Sequence, residues 1–187
     1  MAEVKKTKSG GTAAAFTMIE IIITMVILAI AAVIAVPMMS GAADMQVRSA
    51  ANRLAADLDY AKNMAITHQR PFTVVFDDSA TTANGYMIQR RDASSTLATI
   101  LNPVSRNDFD VRFSDERSLS RVRISAVTLT PTGTGESITF DYLGTPYCGE
   151  AVDAANRLDS GGITLTADGF SLNVTVEPMT GYVTITP

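Results

Sequence analysis

Residues 16–39 read FTMIEIIITMVILAIAAVIAVPMM. From Phe16 to Val36 there are 21 residues and one charge, Glu20. At about 1.5 Å rise per residue, a helix over this run is roughly 31 Å long, enough to cross a hydrocarbon core. The residues before it, MAEVKKTKSGGTAAA, are basic, small and polar, with Lys5, Lys6 and Lys8 opposed only by Glu3. They carry no apolar periodicity and are expected to hold no stable structure. Lysines ahead of the apolar run, with none soon after it, put the N-terminus in the cytoplasm and the rest of the chain outside. A cleaved signal peptide has a similar plan, but its apolar stretch is shorter, about 7–15 residues. A plain signal anchor leaves Glu20 unexplained. A carboxylate at membrane depth costs about 2.5–3.5 kcal/mol or more, which marks it as a functional candidate. The competing reading is a Glu20 that snorkels to the nearby interface.

The chain has 187 residues and a formal charge of −4. That length suits one compact domain plus an extension. Losing residues 1–15 would remove three positive charges and one negative, taking the charge to −6. A mildly acidic body favours solubility and does not favour binding to a phosphate backbone. The single cysteine, Cys148, cannot form an intrachain disulfide and has no partner at metal-ligand spacing. It reads as a buried or inert thiol, with intermolecular pairing as the alternative.

The string Ala15-Phe16-Thr17-Met18-Ile19-Glu20, followed by the apolar run, resembles the type IV prepilin cleavage and methylation motif. The resemblance implies that a membrane peptidase cuts between Ala15 and Phe16 and then methylates the new amine of Phe16. The family usually has Gly before the cut, and Ala15 is a minority choice there. It also implies that Thr17, Glu20 and Pro37 belong to an assembly segment. In a filament, Glu20 of one subunit would neutralise the Phe16 amine of a neighbour. Each charge offsets the other's desolvation, so the pair selects axial register more than it adds strength. Pro37 has two readings. Related families often bend or locally melt the helix at such a proline; otherwise it is a boundary residue that stops the membrane helix.

Beyond the apolar run, Val47, Ala51, Leu54, Leu58, Ala61 and Ala65 recur at spacings of four and three. This is the stripe of an amphipathic helix over about residues 41–68, facing a sheet. Arg48, Asp57, Asp59 and Lys62 lie mostly off the stripe. A coiled-coil seam is the alternative, disfavoured by so many alanines. Pro71 ends the helix. Leu54, Asp57, Leu58, Ala61 and Ala65, followed by the strand-like run Phe72-Thr73-Val74-Val75-Phe76, resemble the pseudopilin H (GspH) and FimT-like minor subunits.

After Pro71 the pattern changes to period two with β-branched residues. Strands are expected over 72–76, 85–90, 109–113, 121–130, 137–141, 162–166, 170–177 and 182–186. Turn signals separate them, among them Asn84-Gly85, Leu143-Gly144-Thr145-Pro146, Asp168-Gly169 and Thr180-Gly181. Short strands close together imply antiparallel hairpins. The closing stretch, with Ile138-Thr139-Phe140-Asp141 and Val174 to Val183, is also similar to the FimT and pseudopilin H pattern. Some FimT-like members linked to DNA uptake carry basic residues in the closing hairpin. Gly181-Tyr182-Val183-Thr184 has none, so nucleic acid is not an expected partner.

No catalytic, cofactor or metal residues are expected. His68, the only histidine, reads as a helix C-terminal residue complementing the dipole, since no nucleophile signature accompanies it. Asp77-Asp78 reads as a solvated loop and not as a calcium site, which needs six to eight oxygens. Arg90-Arg91 and Arg121-Val122-Arg123 are the basic spots. Arg121 and Arg123 could share a face as an anionic docking patch, against the reading that they pair with nearby acids.

The expected fold is α+β and pilin-like: a long N-terminal helix, half transmembrane and half amphipathic, packed on an antiparallel β-rich domain. The divisions are a leader over 1–15, an assembly helix over 16–40, its amphipathic half over 41–70 and a periplasmic body over 71–187. The resemblance implies a non-enzymatic minor pseudopilin or pilin-like subunit of a type II secretion or type IV pilus machine. Its partners would be other pilins, prepilin peptidase and an inner-membrane assembly platform. It would cross the inner membrane once, with its body in the periplasm. The alternative is a FimT-type minor pilin that binds DNA or a surface.

Overall fold

The computed structural model describes residues 16–77, 84–91, 96–132 and 136–187, with side chains at 34–40 and 42 outside the description. The chain divides into two compact units, Met1–Met39 and Ser40–Pro187. One helix, α1 (Met18–His68), contributes to both. Pro37 falls inside this helix range, so α1 does not stop there.

In the second unit, α1 behaves as its spacing dictates. Val47, Ala51, Leu54, Leu58, Ala61 and Ala65 are all fully buried, joined by Ala43 and Ala50 on the same face. The helix ends before Pro71. Gln69 turns left-handed at φ 53° and the Arg70 amide donates to the Ala65 carbonyl at 3.2 Å, closing the last turn.

Among the described residues ten strands follow in two sheets, and every pairing is antiparallel. They are β1 (Phe72–Asp77), β2 (Gly85–Arg91), β3 (Leu97–Thr99), β4 (Asp110–Arg112), β5 (Arg123–Thr130), β6 (Ser137–Phe140), β7 (Pro146–Cys148), β8 (Ser160–Ala167), β9 (Phe170–Val176) and β10 (Val183–Thr186). The first sheet runs β3-β2-β1-β6-β7, with β4 also paired to β2. The second runs β10-β9-β8-β5. One continuous apolar core holds the α1 stripe, Val74, Ile88 and Ile138 of the first sheet, and Ile163, Leu165 and Val174 of the second.

The expected strands are present with shifted ends. The strand expected over 109–113 is shorter, as β4, because Phe113 leaves the sheet to open a 3-10 turn at Phe113–Asp115. β3 and β7 were not expected: each has three residues, too few for alternation to show. Asp168-Gly169 does form the two-residue hairpin turn, with φ of 47° and 87°.

Asn84-Gly85 marks the break before β2 and also serves two longer-range contacts. Gly85 opens β2 where the Val111 carbonyl of β4 occupies the place a Cβ would take. Asn84 reaches to the other sheet. Its Nδ2 donates to the Ile124 carbonyl at 3.0 Å, and the Ile124 amide donates to its Oδ1 at 2.6 Å.

Candidate functional site

The first half of α1 has a chemistry unlike the rest of the molecule. Every described side chain from Phe16 to Val33 is exposed, on all sides of the helix. Phe16 is 76% exposed, Ile27 59% and Val33 74%. A helix that is apolar all round belongs inside protein or lipid. Among the described residues, no helix is long and apolar enough to cross a membrane. The described apolar side chains end at Val33, which gives about 24 Å of helix at ~1.5 Å per residue.

The start of this helix is built by Thr17. Its Oγ1 accepts from the Glu20 amide at 3.3 Å, and its carbonyl accepts from the Glu20 and Ile21 amides at 3.1 and 3.3 Å. Thr17 is thus the N-cap and Glu20 the third helical residue, the spacing of a capping box. Glu20 lies in the first turn, where the helix dipole favours a carboxylate. Phe16 and Thr17 precede the helix. Ala15 lies outside the described residues, as does the Pro37 side chain.

The body holds a polar cluster between α1 and β2 that sequence reasoning missed. The Tyr86 hydroxyl of β2 donates to Asp57 Oδ2 of α1 at 2.5 Å. Arg53 Nε lies 3.8 Å from the same carboxylate, and its Nη1 donates to Glu116 beyond the 3-10 turn. Burial pushes the Asp57 carboxyl up; the Tyr86 hydrogen bond and Arg53 oppose this only in part. Burial and the adjacent Asp57 push the Tyr86 hydroxyl well above its ordinary value. Burial would lower Arg53, but Glu116, Tyr86 and Asp57 outweigh it and hold its guanidinium charged. The cluster locks α1, β2 and the 113–116 segment together. Its sequence signal was Asp57 itself, a carboxylate one position before a core leucine.

The other singled-out residues are dispersed. His68 closes α1 and tilts against the Phe72 ring at 6.0 Å between centroids. Arg91 lies 3.6 Å from Glu150. Arg121 pairs with Asp168 at 3.0 Å, and both line a surface pocket with Arg123. Asp77 ends β1, and Asp78 lies outside the described residues. Cys148 is buried on β7. Among the described residues, no group of three or more His, Cys, Asp or Glu side chains is placed to hold a metal ion. At the closing hairpin the cation is Lys62 of α1, which donates to the Gly181 carbonyl at 3.0 Å and pairs with Asp59 at 2.9 Å.

A bare apolar half-helix, continued by an amphipathic half packed on antiparallel sheets, defines a pilin-like fold. The chain belongs to the family described as Type II transport protein GspH, whose model matches residues 50–181. Its fold is similar to that of the minor pseudopilin EpsH from the type 2 secretion system of Vibrio cholerae. That likeness has a TM-score of 0.50 and 10% identity, covering 75% of this chain and 95% of that one. Two crystal forms of the type IV minor pilin FimU from Pseudomonas aeruginosa also match. One has a TM-score of 0.46 at 16% identity, covering 77% of this chain and 90% of that one. The other has 0.45 at 18%, covering 75% and 92%. No curated protein matches the chain in sequence.

Proposed function

We propose that this chain is a minor pilin-like subunit of a type II secretion or type IV pilus machine, with a structural and not a catalytic role. The observation that carries the reading is the exposed apolar surface of α1 from Phe16 to Val33, interrupted by Glu20 alone among charged residues. In sequence the run continues to Val36, which brings it to the roughly 31 Å a single pass requires. The helix waits in the inner membrane with the body in the periplasm, then moves into a bundle of like helices. An assembly platform in that membrane handles the transfer.

Prepilin peptidase cuts between Ala15 and Phe16, and the new amine of Phe16 is methylated. Thr17 caps the helix, which leaves Phe16 outside the hydrogen-bonded turns. Glu20 then meets the Phe16 amine of a neighbour. Either charge alone in the bundle is penalised, whereas the pair is not. Mass spectrometry of the mature protein should give an N-terminal methyl-phenylalanine at Phe16, and any other start sinks the processing scheme. Glu20→Ala should leave the melting temperature of the body unchanged yet cut incorporation into filaments at least tenfold. Normal incorporation of that variant would refute the charge pairing.

The DNA- or surface-binding alternative finds less support. The closing hairpin has no cation of its own, and Lys62 beneath it is engaged by Gly181 and Asp59.

A further inference from the structure

The second sheet ends in two edges, which are finished differently. On β5, Asn84 takes the outward amide and carbonyl of Ile124, and the pairing with β8 is irregular between Ile124 and Ala126. A side-chain clamp and a bulge are both devices that stop a further strand from adding. Strand β10 carries neither.

The register of β10 shows which of its groups point outward. The Glu177 amide donates to the Tyr182 carbonyl at 2.8 Å, so these two residues form a hydrogen-bonded pair. Such pairs alternate along an antiparallel ladder. Thr184 with Thr175 and Thr186 with Asn173 are therefore bonded pairs, whereas Val183 and Ile185 stand opposite Val176 and Val174 in unbonded ones. The amides and carbonyls of Val183 and Ile185 point away from the sheet. Among the described residues they meet no backbone partner.

The side chains give a second, independent sign. Val174 and Val176 are fully buried, so the face they share with Val183 and Ile185 is the core face. Val183 packs against that core, yet Ile185 is 36% exposed. Ile185 thus leaves apolar surface uncovered on the core side of this edge.

We infer that β10 accepts an extended segment of a neighbouring pilin-like subunit, added as a fifth strand to the second sheet. The segment has apolar, β-branched residues at alternate positions, because those must extend the layer of Val183 and Ile185, and polar residues between them. A second copy of this chain in free solution is not the occupant. β10 has four residues and two outward-facing ones, far less surface than the about 1,200–2,000 Å² a stable free pair buries. So short an edge works between subunits already held side by side, where the second contact is effectively intramolecular. This step rests on the proposed assembly through α1.

The test uses the full chain in its native host, with a photo-crosslinking residue replacing Thr184 in one strain and Ile27 in another. The expected result is cross-links from both positions to other pilin-like subunits, with the position-184 adduct mapping to an extended segment. In filaments, the Val183 and Ile185 amides should exchange at least tenfold more slowly than in the detergent-solubilised chain. Ile185→Pro, which removes an outward donor, should lower incorporation at least fivefold with the melting temperature kept. Exchange and cross-linking need no substitution at 185, so they decide the matter even if that variant misfolds. Cross-links from position 27 without any from 184, or unchanged amide exchange, overturn the strand addition alone. Cross-links from neither position overturn the assembly reading beneath it. Adducts from 184 between two copies of this chain, formed without other subunits, replace strand addition with self-pairing.

Discussion

Asp57 carries two demands that pull against each other. As part of the helix it must sit one residue before Leu58, which is fully buried, and so it is itself drawn toward the core. As a carboxylate it must be satisfied there, and Tyr86 and Arg53 supply the partners. Its folded pKa is raised, chiefly by burial. The contribution of Asp57 is therefore fully present below its unfolded pKa and declines as pH rises through the folded value. Asp57→Asn should accordingly cost more stability near pH 4 than near pH 7. Urea unfolding of both proteins across that range checks it, and the reverse trend would mean that Arg53 dominates the site. Tyr86→Phe leaves the buried carboxylate without its closest donor and should cost about 1–3 kcal/mol at neutral pH.

The elements differ in how much of them the sequence reveals. The amphipathic half of α1 was fully legible, because its six stripe residues repeat at helical spacing and all six are buried. Strand β1 was legible from Phe72, Val74 and Phe76, all buried at period two, although Thr73 between them is buried as well. The Asp57–Tyr86 bond was not, since it joins residues 29 apart across two elements and leaves no local pattern. Asn84-Gly85 was legible as the break before β2, but its tertiary contacts were not. Both residues serve contacts with distant strands, Asn84 with Ile124 and Gly85 with Val111. Substitutions at this level should separate by mechanism. Leu58→Ala opens a cavity under the helix and should cost about 2–5 kcal/mol. Gly85→Ala drives a methyl group into the Val111 carbonyl and should cost about 1–3 kcal/mol by overpacking. Hydrogen exchange tells them apart. The glycine variant should lose protection first in β4 and the start of β2, whereas the leucine variant should weaken the body as a whole. Uniform loss in both would mean that β4 is no separate point of weakness.

At the scale of the whole molecule, exposed and buried apolar surface are divided between two parts of one chain. Among the described residues, every buried apolar residue of the core lies at or beyond Ala43, inside the unit Ser40–Pro187. That unit has its own helix stripe, two sheets and polar clamps between them. The described surface of α1 before it is apolar from Phe16 to Val33 and contributes no buried residue to that core. A protein of residues 40–187 should therefore fold by itself. Its melting temperature should match that of the full chain, measured in the same detergent, to within about 2–4 °C, the shift that roughly 1 kcal/mol makes at this size. The two proteins should differ elsewhere. The full chain should float with phospholipid vesicles and aggregate when detergent is withdrawn, whereas residues 40–187 should stay in the aqueous fraction as a monomer. A truncated body that melts much lower would show that the apolar helix stabilises the domain. Glu20 would then have to be understood through folding as much as through filament register.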